Sequence, residues 1–375
     1  MKIYSGFLGH QRYKYIIKEF KNNEYVPDIK LSQPHLCKES GMVRVNGDFD
    51  LIEFWDFGLP VNDTPFIAHY ESTSAIFWHE SIKDKELRNK ITNIKMKLLE
   101  SKNCKAIICC SKYAKNKALG KLPPKVAEKV LNLNVGIPEP PNKKNNNIDE
   151  IRLIFVGNGF ERKGGDILLE AFDELSKKFK NLKLTIFSNF DYKNHFLFDK
   201  ENLKDEYLKI IGKNKNIELI MNSNPFYSEK GYCNANIFVF PTLLENFGIV
   251  VTEAMAYGLP VVTTAIGGVT EQVENGINGF LISPFNERIG KDFPTFGTKK
   301  ERYKPYIKNK IIEKVTKLIE NPSLMKNMGN TNIETWKKKF HIDKRIEIMK
   351  YIYDNVLEDS YDVSRLKEKV KEVYN

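Results

Sequence analysis

Residues 241–256 read Pro-Thr-Leu-Leu-Glu-Asn-Phe-Gly-Ile-Val-Val-Thr-Glu-Ala-Met-Ala, and an apolar run over 237–241 leads into them. The pattern is a buried strand passing through a loop into a helix that starts near Phe247. The first N–H groups of a helix have no intrahelical acceptor, so Gly248, Ile249 and Val250 offer an anion site. Glu245 lies in the loop before that helix, and Glu253 lies two turns inside it. A glutamate on a helix is ordinarily a solvated surface residue. This helix is apolar nearly all round, which predicts burial, and a buried carboxylate without a partner is costly unless it serves a function.

Upstream, Phe155-Val156-Gly157-Asn158-Gly159-Phe160-Glu161-Arg162-Lys163-Gly164-Gly165 also runs from a strand into a helix. Gly157 and Gly159 permit close approach of backbone N–H groups to phosphate. Arg162 and Lys163 would neutralise a diphosphate, on which negative charge accumulates as its bond to sugar breaks. Two glycines make neither a full dinucleotide fingerprint nor a P-loop, so a plain tight turn is the competing reading. Downstream, Gly258-Leu259-Pro260-Val261-Val262-Thr263-Thr264 and Ile266-Gly267-Gly268-Val269-Thr270-Glu271 read as a helix stop, a buried strand and a glycine turn able to approach a ligand.

These blocks belong to one alternating series. Strands are expected over 152–156, 183–188, 217–221, 237–241 and 260–263, with a short element at 279–282, and helices over 165–179, about 201–211 and 248–257. Such alternation predicts a parallel sheet covered by helices on both faces. Residues 138–150 carry three prolines and four asparagines with no apolar period and read as a linker. In the half before it, strands over 49–55 and 65–70 are expected to be neighbours in one sheet. Leu87, Ile91, Ile94 and Leu98 recur at helical spacing, a strand follows over 106–110, a helix from about Lys112 is interrupted at Pro123 and Pro124, and a strand covers 131–135. Residues 284–308 read as an extended loop, and from Asn309 the chain reads as helical to its end.

In order and spacing the three blocks resemble the nucleotide-sugar domain of retaining GT-B glycosyltransferases of the family-four type, the glycosyl transferases group 1. The likeness is specific over 151–282, in outline over the preceding half, and by position in the C-terminal helices. It implies an α/β protein of two Rossmann-like domains facing a cleft. The first, 1–140, would bind the acceptor and be completed by C-terminal helices crossing back over about 340–375. The second, 150–339, would bind the nucleotide sugar. The resemblance implies further that Glu253 hydrogen-bonds the donor ribose and that Glu245 is catalytic, close to the transferred sugar. Asn246, Phe247, Gly248, Ile249 and Val250 would meet sugar or phosphate, with Gly157, Gly159, Arg162 and Lys163 around the donor. Lys163 matches the family's phosphate-binding lysine. The arginine expected five residues before it is Asn158 here, and Arg162 is the candidate to replace its charge. Phe66-Ile67-Ala68-His69 resembles the family's strand ending in a cleft histidine, which makes His69 a second catalytic candidate; a hydrogen-bonded core histidine is the competing reading. Gly6 and Gly9 are candidates for the loop that meets phosphates and acceptor. Base choice would rest on contacts near Ser188, Asn189, Met221 and Asn222.

The activity implied is hexosyl transfer from a UDP- or GDP-sugar to an acceptor hydroxyl with retention of configuration. The leaving phosphate takes the proton of the attacking hydroxyl, and Glu245 stabilises positive charge on the sugar; a covalent double displacement stays open. No cofactor is expected beyond the donor, and no metal. Asp48-Phe49-Asp50 spells a D-x-D, which holds a metal in another glycosyltransferase fold, but it follows Asn46-Gly47 at the start of a strand and reads as a turn. Lys163, Arg162 and a helix N-terminus would stabilise the diphosphate instead.

Composition bounds the rest. A chain of 375 residues with 41% hydrophobic side chains can bury two cores, and its 29% charged residues are interleaved with regular apolar runs, which excludes wholesale disorder. No apolar stretch approaches the roughly 20 residues of a spanning helix, and the opening residues lack a signal-peptide block, so a cytoplasmic protein is expected. The five cysteines and six histidines form neither a disulfide framework nor a metal motif. The net charge is +11, and residues 80–130 hold thirteen Lys and one Arg against four Glu and one Asp. Such a band is either a solvated face or a site for an anionic partner. One acceptor reading is a glycan or glycolipid at the inner membrane surface, with the basic helix of 83–105 and its apolar stripe resting on anionic lipid. Alternatives are a hydroxylated base in nucleic acid, a soluble sugar or metabolite, and a non-catalytic nucleotide-sugar binding protein. The intact set of Glu245, Glu253 and Lys163 argues against the last.

Overall fold

The computed structural model describes residues 1–6, 24–27, 42–55, 58–71, 76, 82–145, 150–190, 203–283 and 300–374. The chain forms two units, one of Met1–Pro138 with Lys339–Asn375, the other of Glu139–Lys338. Both are α/β, each built on a six-stranded sheet in which every pairing is parallel.

In the first unit the strands are β1 (Lys2–Gly6), β2 (Glu24–Pro27), β3 (Met42–Val43), β4 (Leu51–Trp55), β5 (Leu59–Pro60), β6 (Phe66–Tyr70), β7 (Cys104–Cys109) and β8 (Val130–Asn132). The sheet runs β2-β1-β4-β6-β7-β8, while β3 and β5 pair separately. The expected neighbours β4 and β6 are paired, with Trp55 opposite His69. All five residues of each are buried, the condition of a parallel sheet covered on both faces. Asp48-Phe49-Asp50 lies at the entry to β4, where Asp50 Oδ2 accepts the Lys2 N–H at 2.6 Å and the Asp50 N–H returns a bond to the Lys2 carbonyl at 2.9 Å. The chain leaves this unit beside the point where it returns: Ile137 N–H donates to Phe340 O at 2.9 Å and Ile342 N–H donates to Ile137 O at 3.2 Å. Gly136 is required there, since a Cβ would stand 2.7 Å from Ile342 Cα. The returning helices Ile342–Asn355 and Val363–Tyr374, with Val356 at the C-cap of the first, bury Ile348, Met349, Ile352, Val356 and Leu366 against Ile3, Leu51, Ile67, Ile108 and Leu131.

The helix Lys85–Glu100 differs from its expected reading. Its inward face is Ile91, Lys95 and Leu99, whereas Leu87 and Ile94 are exposed. Lys95 is 1% exposed and donates to the Ile76 carbonyl at 2.9 Å, and burial lowers its ammonium to about 8. Lys129 closes the end of the same helix by donating to the carbonyls of Leu99, Glu100 and Ser101. Of these two cations of the basic band Lys95 is internal and Lys129 half-buried, and the stripe is split between the two faces.

In the second unit β9 (Ile151–Val156), β10 (Leu182–Phe187), β11 (Ile217–Ile220), β12 (Ile237–Phe240), β13 (Val261–Thr264) and β14 (Gly279–Ile282) lie in the order β11-β10-β9-β12-β13-β14. The chain builds outward from β9 to β11, returns beside β9 as β12, and builds outward the other way. That reversal makes the carboxyl ends of β9 and β12 a switch point, where open parallel sheets bind ligands. Helices Gly165–Lys178, Leu203–Lys213 and Ile249–Ala256 connect the strands, followed by Lys300–Ile319 and Pro322–Lys339. Residues 300–308 are therefore helical and not part of a loop. Buried Tyr303 and Ile307 carry the four-residue period of Ile311 and Val315 one turn past Pro305, which masks it in the sequence. The remainder of the expected loop, 284–299, lies outside the described residues. The linker is held to this unit: Asn142 Nδ2 donates to Tyr227 O, Lys144 Nζ to Gly258 O and Asn145 N–H to Cys233 O. Among the described residues no helix is long and apolar enough to cross a membrane.

Candidate functional site

The loop after β9 and the loop after β12 meet at the switch point because glycine lets them. Gly164 caps the helix Gly165–Lys178 with a φ of 76°, and a Cβ there would lie 2.1 Å from the Pro241 carbonyl oxygen. No other residue combines that dihedral with that approach. Leu243 N–H then donates to Arg162 O at 2.8 Å, and Lys163 is delivered to Glu245, its Nζ 2.5 Å from Oε2. Arg162 Nη1 and Lys163 Nζ lie 3.4 and 3.5 Å from the same Leu244 carbonyl. The cations converge, and Arg162 reaches the point that Lys163 reaches. Burial pushes the Glu245 carboxyl up, but the Lys163 charge and hydrogen bond, with Arg162 and the Asn246 N–H, outweigh it and hold the group below its ordinary value. Glu245 is therefore an ionised carboxylate.

The turn into the next helix is buttressed from a third side. Gly248 has a φ of 87°, and no side chain caps the helix Ile249–Ala256, so its first turn is left to a ligand or solvent. The turn Gly267–Glu271 packs against the same loop: a Cβ on Gly268 would meet the Asn246 carbonyl oxygen at 2.2 Å, and Gln272 Nε2 donates to Phe247 O at 2.5 Å. In the glycine turn expected to approach a ligand, Gly268 makes its close approach to the Asn246 backbone. Within the helix Glu253 is 2% exposed. Its Oε2 accepts from Tyr232 Oη at 3.0 Å, and its Oε1 has no hydrogen-bond partner among the described residues. Burial raises this carboxyl to about 7, against the opposing hydrogen bond of Tyr232.

Asn158 does not join the cations. Its Oδ1 accepts the Asn189 N–H at 3.1 Å, and Asn189 Oδ1 accepts the Asn222 N–H at 2.7 Å, so three asparagines tie the carboxyl ends of β9, β10 and β11 together. Gly157 is close to the Lys163 stem, where a Cβ would come within 2.9 Å. Gly159 O accepts the Lys163 N–H, and Met221 is exposed beside Asn222, whose φ is 52°.

In the first unit His69 is 2% exposed and stacked on Trp55, with ring centroids 4.0 Å apart and planes within 2°. Arg345 Nη2 stands 3.4 Å from its Nδ1, and Glu53 Oε1 stands 3.6 Å from its Nε2. Tyr353 Oη donates to the same Glu53 oxygen at 3.0 Å, and Arg345 Nη1 is anchored on the Leu133 and Asn134 carbonyls. Both ring nitrogens thus face side chains of their own unit, beside a small cavity lined by Trp55, His69, Cys110, Leu133, Val135 and Arg345. Gly6 ends β1, and Gly9 lies outside the described residues. Among the described residues no group of three His, Cys, Asp or Glu side chains is placed to hold a metal.

Sequence reading missed Tyr232, Gln272, Glu53, Arg345 and Tyr353. None has a local signature, because each acts on a residue at least 16 positions away.

Comparison with known proteins agrees with this architecture. Residues 137–309 match the family of glycosyl transferases group 1. The capsular polysaccharide biosynthesis glycosyltransferase CapM of Staphylococcus aureus is 29% identical over 213 residues, which are 56% of this chain and 48% of CapM. The chain spans about half the length of that relative. A glycosyltransferase from Rickettsia africae has a TM-score of 0.63 at 14% identity, over 96% of this chain and 99% of the other. Anabaena HepE, solved in complex with UDP-glucose, has a TM-score of 0.57 at 13% identity, over 99% and 98%. At these identities the likeness of the solved structures is one of fold. Two Rossmann-like units thus give this chain the GT-B fold, and the segment 137–309 is similar to the glycosyl transferases group 1.

Proposed function

We propose that this protein transfers a hexosyl group from a UDP-sugar to a hydroxyl of a glycan acceptor, with retention of the anomeric configuration. The observation that carries the proposal is the convergence of Lys163, Arg162 and Glu245 at the switch point, with a buried Glu253 oxygen in the helix that follows having no partner among the described residues. A diphosphate between the two cations has its leaving-group charge stabilised by them and by the uncapped helix start at Gly248. Glu253 Oε1 then accepts from a ribose hydroxyl. The bond from the anomeric carbon to the diphosphate breaks, the bond to the acceptor oxygen forms on the same face, and the acceptor proton passes to the leaving phosphate. Glu245, held ionised, stabilises the positive charge that develops on the sugar. Two fixed cations make a divalent metal unnecessary, so chelation with EDTA should leave turnover unchanged. HepE was solved with UDP-glucose and CapM is named for capsular polysaccharide, and these relatives guide the choice of uridine and of a glycan acceptor. The first unit is assigned the acceptor, with His69 and Arg345 beside its cavity as candidate contacts. The exposed side of the helix Lys85–Glu100, carrying Leu87, Lys90, Ile94 and Lys97, is the candidate for contact with an anionic membrane surface.

The test is a thermal-shift panel of UDP, GDP and ADP, because a ligand that binds only the folded state raises its melting temperature. UDP alone should stabilise the protein, Lys163→Ala should remove most of that shift, and turnover in the variant should fall by about 100-fold or more. Proton NMR of the product should show the donor's anomeric configuration. Equal shifts by all three nucleotides, or an inverted product, would refute the corresponding part of the proposal.

A further inference from the structure

We infer that Tyr232 is a positioning residue for the donor site: it holds one carboxylate oxygen of Glu253 so that the other is left to receive a hydroxyl of the donor nucleoside. The inference rests on the donor reading above and extends it to a residue that touches no donor atom.

Tyr232 is fully buried, and its ring is fixed on two sides, stacked on Tyr257 at 5.9 Å and edge-on to Phe238 at 5.8 Å. Its backbone sits in the short turn Tyr232–Asn234, entered through Gly231, where a Cβ would lie 1.8 Å from the Pro225 carbonyl oxygen. The linker clamps that turn from outside: Asn145 N–H donates to Cys233 O at 2.7 Å, and Asn145 Nδ2 donates to Asn234 Oδ1 at 3.0 Å. With ring and backbone both immobile, the phenol hydroxyl is a fixed donor, 3.0 Å from Glu253 Oε2. A carboxylate held at one oxygen has its plane restricted, and Oε1 is then a buried acceptor with no partner among the described residues. A buried acceptor in that condition is costly, and a hydroxyl that satisfied it would recover the cost on binding. The titratable groups facing Glu253 among the described residues are Tyr232 and Tyr257, and Cys233 acts electrostatically on Tyr257; the Tyr257 hydroxyl is engaged elsewhere, on Phe226 O at 2.6 Å. Tyr232 therefore supplies the one hydrogen bond that favours the ionised form of this glutamate.

Calorimetric titration of the 375-residue chain with UDP, 2′-deoxy-UDP and 3′-deoxy-UDP tests this on the wild type, Tyr232→Phe, Glu253→Gln and the double variant. The carboxylic-acid infrared band of Glu253, assigned by its loss in Glu253→Gln, is followed against pH without ligand. Tyr232→Phe should bind UDP about five- to ten-fold more weakly, the scale of one lost hydrogen bond. It should leave unchanged the binding of whichever deoxy analogue lacks the hydroxyl that Glu253 accepts, and it should add no further loss to Glu253→Gln. Its carboxylic-acid band should persist to higher pH than in the wild type. A Tyr232→Phe protein that melts like the wild type, binds UDP equally well and titrates Glu253 at the same pH overturns the inference. So does a loss of UDP affinity that is the same in the Glu253→Gln background. If the wild type binds no uridine nucleotide, the donor reading is what falls, and the ligand-free band still upholds or refutes the hold of Tyr232 on Glu253.

Discussion

Glu245, largely buried, and Glu253, fully buried, are eight positions apart, yet their carboxyls are pushed in opposite directions, and the cause is the partner each has. Glu245 faces two cations and is held low, whereas Glu253 faces a neutral phenol in an apolar helix and is held high. The two therefore give opposite slopes to stability against pH. Glu245, lowered from 4.5, contributes stability that is present above 4.5 and lost as pH falls through its depressed value. Glu253 contributes stability that is present below 4.5 and lost as pH rises to about 7. Lys163→Met should accordingly cost about 2 kcal/mol at pH 7, because it strands a largely buried carboxylate, and should cost less as acid neutralises Glu245. Glu253→Gln should remove the decline between pH 4.5 and 7, up to about 3 kcal/mol at 1.36 kcal/mol per pKa unit. Urea unfolding at pH 4, 5, 7 and 8 measures both.

At the scale of elements, the helix Lys85–Glu100 shows how charge count misleads. Asp84 caps its start by accepting the Glu86 and Leu87 N–H groups, and Lys129 caps its end. Lys95 occupies the middle of the inward face between Ile91 and Leu99, its ammonium on a carbonyl and its stem in the core. A lysine lowered from 10.5 to about 8 binds fewer protons folded than unfolded between those values, so stability rises with pH across that window. Lys95→Met should abolish the rise and leave stability at pH 7 within about 1 kcal/mol of wild type, since a similar volume replaces the stem while the Ile76 carbonyl loses its donor. Lys129→Met should destabilise by about 1–2 kcal/mol through three uncapped carbonyls. Denaturant midpoints from pH 7 to 10.5 separate the two variants. The spacing of Leu87, Ile91, Ile94 and Leu98 reports a helix correctly but not its inward face, because the residue that completes that face is charged.

At the scale of the whole molecule, the C-terminal segment is part of the first unit. Ile348, Met349, Ile352, Tyr353, Val356, Leu366 and Val373 all lie in that unit's core. At about 1.5 kcal/mol or more for each buried side chain, these seven contribute on the order of 10 kcal/mol, comparable with the whole stability of a domain. A chain ending at Lys338 should therefore lose the cooperative unfolding of the first unit, while residues 139–338, which hold their own core and the proposed donor site, should fold alone and keep the UDP-dependent stabilisation that the proposal expects. Differential scanning calorimetry of the two truncated chains, with and without UDP, checks both outcomes.

Local order is legible for most of the longer elements, and not for the short strands Glu24–Pro27, Met42–Val43 and Leu59–Pro60. Short apolar runs between Gly, Pro and Asn gave the buried strands, because a fully covered parallel strand has no polar face to interrupt it. Glycines at 164, 248 and 268 marked the junctions where backbone must bend or approach closely. The residues of the proposed donor site, Lys163 and Glu245, lie just after two strands that the alternation locates, which is why the sequence points to them. The Tyr303–Ile307 turn was hidden by Pro305, and Lys95 by its charge. What a period cannot carry is which distant side chains meet. Lys163 and Glu245 are 82 positions apart, His69 and Arg345 276, and Glu53 and Tyr353 300. Alternation and spacing are properties of neighbours in the chain, so they determined the elements, the parallel sheets and the candidate residues. The partners that set the charge of Glu245, the orientation of Glu253 and the surroundings of His69 exist only once strand order has brought separate loops together, and that the tertiary structure alone decided.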